Sequence, residues 1–246
     1  MKNKNRIWNY TLSAMIIFLM SLSFSSKSIA QESSTTVKDI DGNVYNTVVI
    51  GTQIWMKENL KTTKYNDGTA IPNVTDNTEW ENLTTGAYCW YDNDNSYKNP
   101  YGALYNWYAV ETGKLCPEGW HVSSSFDWIK LKFFLGGNTD FIIGNTPPGK
   151  PEGGKLKETG TSHWKAPNTG ATNETGFSAL PGGWRENDRF KYFGTAGYWW
   201  GDGDAGQATW EALGRIMKYD NKEVWRLYNP KRSGLSVRCI KDEPDQ

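Results

Sequence analysis

Strand-like runs stand at both ends of this chain and the helix signals lie between them, an order that constrains the fold more than any other feature. Near the start, VKDIDGNVYNTVVIGTQIWMKENL (37–60) sets Asp41-Gly42 between two β-prone runs, and Gly51-Thr52 separates a second from a third. A two-residue Asp-Gly between β-prone segments is a hairpin signal, so the spacing predicts a small three-stranded meander. In the middle, aromatics from Tyr101 to Tyr108 follow a helical spacing, with Gly113 placed as a C-terminal cap. Ser124 and Asp127 then form an approximate capping box for a second helix, in which Phe126, Ile129, Phe133 and Phe134 fall on one side and which Gly136-Gly137 ends. The last third reads as short runs (FSAL, RFKYF, GYWWG, TWEALGRIMKY, EVWRLY, LSVRCI) broken by turns, the pattern of antiparallel hairpins. Strands, two helices and strands again, with no βαβ alternation, predict an α+β domain. The polar segment 61–83 reads as an ordered surface loop, and Asn138 to Gly154 as a loop or insertion with nothing to bury.

What fills such a fold is set by its side chains. Thirteen tryptophans and thirteen tyrosines accompany 25 glycines, while aliphatic residues are sparse. The interior must therefore be built from large flat rings separated by turns, each ring still needing a partner for its N–H or O–H.

The N-terminus carries a targeting pattern. Lys2, Lys4 and Arg6 precede an apolar run from Ala14 to Phe24, and Ser28-Ile29-Ala30 offers a small-residue exit. This predicts a signal peptide over 1–30, with cleavage after Ala30, and export of the chain to the periplasm, the outer surface or the medium. The run falls short of the roughly 20 residues of a membrane span, so no transmembrane segment is expected in the mature chain. No cysteine follows it, which disfavours a lipid-anchored form. Residues 31–36 are a polar lead-in, 37–241 a single domain and 242–246 a tail. Overall charge is balanced, and loss of the basic leader leaves a mildly acidic mature chain, so nucleic acid is not an expected partner.

Several stretches in order resemble the Fibrobacter succinogenes major paralogous domain family: DIDGNVYNTVVIGTQIWMKENLKTTKYNDGT, YCWYDND, YGALYNWYAV, LCPEGWHV, GFSALPGGWR, GYWWG and GLSVRCIKD. The resemblance implies a C-type-lectin-like fold, related also to the formylglycine-generating-enzyme domain, with two helices packed on small, irregular, twisted antiparallel sheets. It implies no particular reaction. SSSFDW departs from the family's more usual Pro-Thr/Ser-Asp-x-x-Trp run, but Ser124 still supplies a cap. By likeness to the helix-to-final-strand bridge of C-type lectins, Cys116 and Cys239 are expected to form a disulfide, which leaves Cys89 as a buried free thiol.

Chemistry-bearing clusters are few. His121 has only His163 as a possible second histidine, and neither stands in a cluster with ligand spacing, so His121 is expected to be structural or exposed. The cysteines lie too far apart in sequence for the paired-thiol oxidase reading that the formylglycine-generating relatives suggest. Asp92-Asn93-Asp94-Asn95 and Asp202-Gly203-Asp204 alternate acidic residues as calcium loops do, yet lack the Gly and terminal Glu of a full loop, and turn chemistry explains them better. No cofactor is expected, with calcium the one candidate. Glu243-Pro244-Asp245 matches a sugar-binding tripeptide but sits in the tail, where no loop completes a site.

Flat rings beside polar groups remain as the recognition signal. Trp184, Arg185, Trp200, Asp202 and Asp204 are the expected contact set, with Trp210 and Trp225 in neighbouring runs: rings as stacking platforms, Arg185 as donor, the aspartates as polar anchors. Strand alternation puts Trp199 and Trp200 on opposite faces, so at most one should join the core face. The expected function is binding of a glycan or protein ligand outside the cytoplasm. A formylglycine-generating-like oxidase and a structural envelope or matrix component are the alternatives.

Overall fold

A computed structural model of the chain describes residues 35–137, 150–201 and 210–243. Its first elements are the strands β1 (Thr36–Lys38), β2 (Val44–Ile50) and β3 (Gln53–Met56). They pair antiparallel as the meander that the Asp41-Gly42 signal predicts. Asp39 closes the hairpin: its Oδ1 accepts the amides of Asp41 and Asn43, its Oδ2 accepts the Tyr45 hydroxyl at 2.6 Å, and Gly42 takes a positive φ of 83°.

The segment read as a polar loop contains a short helix, α1 (Asn77–Glu81), started by Asp76, whose side chain accepts the Glu79 amide. Beyond it lie β4 (Tyr88–Cys89), the broken turn α2 (Lys98–Tyr101), β5 (Leu104–Tyr105) and α3 (Trp107–Val110). The continuous helix expected over Tyr101 to Tyr108 is thus replaced by a turn, a strand and a new helix. Tertiary contact overrides the helical spacing here. Gly102 turns at φ 80°, and a Cβ there would lie 2.7 Å from Asn59 Cβ, so only glycine lets the chain lie against residues 59–60. Ala103 N–H then donates to Leu60 O, β5 pairs with β4, and Asn106 restarts the helix by accepting the Ala109 amide.

Strand β6 (Trp120–Val122) leads into α4 (Ser125–Phe134), where the capping box forms as expected: Asp127 N–H donates to Ser124 Oγ and Ser124 N–H to Asp127 Oδ2. The helix turns a different face inward than predicted. Trp128, Leu131 and Leu135 are buried, whereas Phe126, Phe133 and Phe134 are exposed, Phe133 at 70 %. Spacing i, i+3, i+7 from Trp128 wins because Trp128 joins a ring cluster with Trp55 and Phe177. Helix α5 (Glu152–Leu156) begins inside the stretch 138–154 read as having nothing to bury. Gly153 and Gly154 are buried because a Cβ at either would fall within 2.4 Å of another backbone, so their bareness is what seats the helix.

The C-terminal strands are β7 (Trp184–Glu186), β8 (Arg189–Lys191), β9 (Ala196–Trp200), β10 (Glu211–Lys218), β11 (Trp225–Pro230) and β12 (Cys239–Lys241). The sheet orders are β1-β2-β3-β12-β6, β11-β10-β9, β4-β5 and β7-β8, and all of these pairings are antiparallel. The architecture is α+β, built of small sheets. Strand β12 sits inside the largest sheet, between β3 and β6.

Rings form the interior. Trp55, Trp128 and Phe177 meet edge to face at centroid distances of 5.4–5.8 Å, and Trp199 joins them while donating its Nε1–H to Asn59 Oδ1. Arg238 is buried beside them. Its guanidinium donates to Met56 O, Phe177 O and Asn59 Oδ1 and lies 4.3 Å over the Phe177 ring, tying the approach to β12 to two distant segments. Cys116 and Cys239 are disulfide-bonded, with Cα atoms 6.0 Å apart, and Cys89 is a buried free thiol. Among the described residues no helix is long and apolar enough to cross a membrane.

Candidate functional site

Three of the five residues expected to contact ligand are interior. Arg185 is fully buried: Nη1 donates to Val74 O at 2.8 Å, Nη2 reaches Asn77 Oδ1 at 2.9 Å, and the guanidinium lies 4.3 Å over Trp80. It pins the loop before α1 rather than meeting a partner. Trp184 is 9 % exposed and stacks on Tyr198, their rings 5.2 Å apart and 11° from parallel. Trp200 is fully buried, donating Nε1–H to Tyr105 O at 2.7 Å and meeting Trp107 edge-on. The alternation of Trp199 and Trp200 holds, but both faces of β9 are covered, so each ring enters a different part of the core. Burial takes these side chains out of reach of a stacking ligand. Asp202 and Asp204 lie outside the described residues.

One ring of the same neighbourhood does reach solvent. Among the described tryptophans only Trp210 is exposed, at 61 %; Trp225 is half-buried against the core. Trp210 immediately precedes β10, whose first residue, Glu211, pairs with Pro230 at the end of β11. That register brings Lys231 N–H onto Trp210 O at 2.9 Å, and Trp107 N–H onto Lys231 O at 2.8 Å ties α3 to the same turn. The three elements converge on a shallow pocket of about 220 Å³ lined by Tyr108, Trp210, Pro230, Lys231 and Arg232. Lys231 Nζ stands 3.4 Å from Glu111, and Arg232 Nε donates to Asn187 Oδ1 at 2.9 Å. An aromatic face, a phenol ring and basic groups on one concave surface suit stacking and hydrogen bonding to a polar ring. The turn NPKRSG between β-prone runs carries the basic half of this pocket in sequence, but only β10–β11 register reveals that Trp210 meets it.

His121 forms the second polar constellation. Its Nε2 lies 3.0 Å from Asp127 Oδ2 and its Nδ1 2.6 Å from Asp242 Oδ1. The hydrogen bond to Asp127, foremost, and that to Asp242 raise the imidazole to about 9 against the opposing effect of burial. Burial alone would raise Asp127, but bonds from His121 and Ser124 outweigh it and hold that carboxyl below its ordinary range. A doubly protonated ring between two carboxylates has no nitrogen left to accept a proton. Ser124 Oγ, at 2.6 Å, donates to Asp127 rather than to His121, so no nucleophile–base pair forms. The group instead clamps the chain after β12 onto the start of α4, and Lys130 on that helix reaches Glu243 at 2.6 Å.

Other reactive groups are held still. Burial pushes the Cys89 thiol up to about 12 despite the neighbouring Arg185, which leaves it protonated at neutral pH. The Asp92–Asn95 turn is closed by its own chemistry: Asp92 and Asn93 adopt positive φ, and Asp94 accepts the Ser96 amide. No group of three or more His, Cys, Asp or Glu stands close enough to hold a metal ion among the described residues.

Fold and site together define an α+β domain of small antiparallel sheets around an aromatic core, closed by a disulfide, with an exposed aromatic pocket at Trp210. The chain belongs to the Fibrobacter succinogenes major domain family, whose model matches residues 48–241. No curated protein and no solved structure matches it.

Proposed function

We propose that this is an exported or cell-surface binding protein with a C-type-lectin-like domain, and that it holds a glycan against Trp210. The observation that carries the reading is the exposure of that single indole in a pocket also lined by Tyr108, Lys231 and Arg232. An exposed indole in a domain that buries most of its other rings gives up apolar area, and contact with a sugar face recovers it at small entropic cost. The oxidase alternative needs a reactive thiol pair. It is disfavoured because Cys116 and Cys239 are bonded to each other and Cys89 is buried with a raised pKa.

A glycan and mucin array probed with the mature chain and with Trp210→Ala tests the proposal. Loss of a stacking anchor of this kind typically costs about 2 kcal/mol, roughly a thirtyfold drop in affinity, with the fold intact by circular dichroism. Array signals that Trp210→Ala leaves unchanged would refute the site. Silence of the folded wild-type protein on every glycan would favour the structural envelope or matrix role.

A further inference from the structure

The pocket's charge distinguishes among glycans. Arg232 is exposed at its rim, yet its backbone and its Nε are fixed: Trp80 Nε1–H donates to Arg232 O at 2.7 Å, Ser233 N–H to Pro230 O at 2.8 Å, and Nε–H to Asn187 Oδ1 at 2.9 Å. Those bonds hold the guanidinium by one corner and leave Nη1 and Nη2 without a partner among the described residues. Lys231 adds a second cation, partly offset by Glu111 at 3.4 Å, and among the described residues no carboxylate lines the pocket itself. A planar two-donor fork matches an oxyanion, and its orientation is set before any ligand arrives.

Building on the glycan reading above, we propose that the ligand is an acidic glycan, its sugar ring stacked on Trp210 and its carboxylate or sulfate accepting from the terminal nitrogens of Arg232. Charge complementarity favours this over a neutral sugar, because a neutral ligand would cover a cation without pairing it. Nucleic acid is disfavoured by the mildly acidic mature chain.

The test measures binding of the full mature chain to immobilised polygalacturonate, dextran sulfate, unmodified dextran and poly-glutamate, with wild type, Trp210→Ala, Arg232→Ala, Arg232→Lys and Arg189→Ala. Arg189 is an exposed arginine next to Asp188 in β8 and controls for general loss of charge. The expected result is binding to polygalacturonate or dextran sulfate, whichever carries the matching oxyanion. Affinity should fall at least tenfold in Trp210→Ala and Arg232→Ala, partly recover in Arg232→Lys, and hold in Arg189→Ala. Equal binding of unmodified dextran, or indifference to Arg232→Ala while Trp210→Ala abolishes binding, overturns the acidic ligand but leaves the stacking site standing. Poly-glutamate binding with the same dependence on Arg232 but not on Trp210 overturns it in favour of an acidic peptide. Failure of both acidic polymers to bind overturns it outright, and the neutral arm then reports separately on the glycan reading.

Discussion

Removing the Cys116–Cys239 bridge tests how the closing strand is held. The bond spans 123 positions of chain. In the chain-entropy account, a loop of that size costs the unfolded state about 5 kcal/mol of lost freedom, and native disulfides typically return about 2–5 kcal/mol on removal. The comparison is Cys116→Ala/Cys239→Ala against the bridged protein, both carrying Cys89→Ala so that no third thiol can exchange, followed by urea unfolding. The two sites are buried, so alanine keeps an apolar side chain and introduces no new polar group. A loss of 2–5 kcal/mol is expected, together with a steeper denaturant dependence, because the uncrosslinked unfolded chain exposes more surface. That second readout separates an unfolded-state effect from damage to the native core, which would lower stability at constant slope. A loss below about 1 kcal/mol with unchanged slope would mean that strand pairing and Arg238 hold β12 unaided, and would refute the reasoning.

Two further outcomes follow from the structure. His121→Asn should destabilise the protein below pH 6.5, and its deficit relative to wild type should shrink as pH rises towards about 9, because a group whose folded pKa is raised contributes fully below its unfolded pKa and loses that contribution through its folded one. The imidazole is 40 % exposed, so solvent screening limits the difference to about 1 kcal/mol; melting curves from pH 6 to 10 check it, and a gap that stays constant across that range contradicts the clamp. On α4, Trp128→Ala should cost about 3–5 kcal/mol by opening a cavity beside Trp55 and Phe177, whereas Phe133→Ser should stay within about 0.5 kcal/mol, and chemical denaturation giving the reverse order would mean the helix face is assigned wrongly.

Local signals in the sequence carried the parts of this fold that local chemistry decides. Asp41-Gly42 marks its hairpin because a tight turn needs few neighbours, and Ser124 with Asp127 marks a helix start because the cap is satisfied within one turn. The faces of elements were less legible. Phe126 and Phe133 have the apolarity expected of a core and still point outward, because Trp128, on the other side of the helix, offered a larger buried area. Three members of the expected contact set, Trp184, Arg185 and Trp200, proved interior for a related reason. Arg185 and Trp200 have the chemistry of binding residues, but the same donors and rings equally serve backbone carbonyls at Val74 and Tyr105, and sequence does not say which neighbour arrives first. Trp210 was visible as a residue; its partners Lys231 and Arg232 become so only through the register of β10 with β11. The expected disulfide rested on family likeness, and the structure contains it.

The place of β12 in its sheet carries a consequence for how the polypeptide matures. Strands β3 and β6 are both made well before residue 239, yet neither pairs with the other; each waits for the same late segment to fill the gap between them. The β1–β2–β3 meander can pair as soon as it is made, but β6, at the edge of the sheet, is joined to it through β12, so the five-stranded sheet closes only when the last residues of the domain arrive.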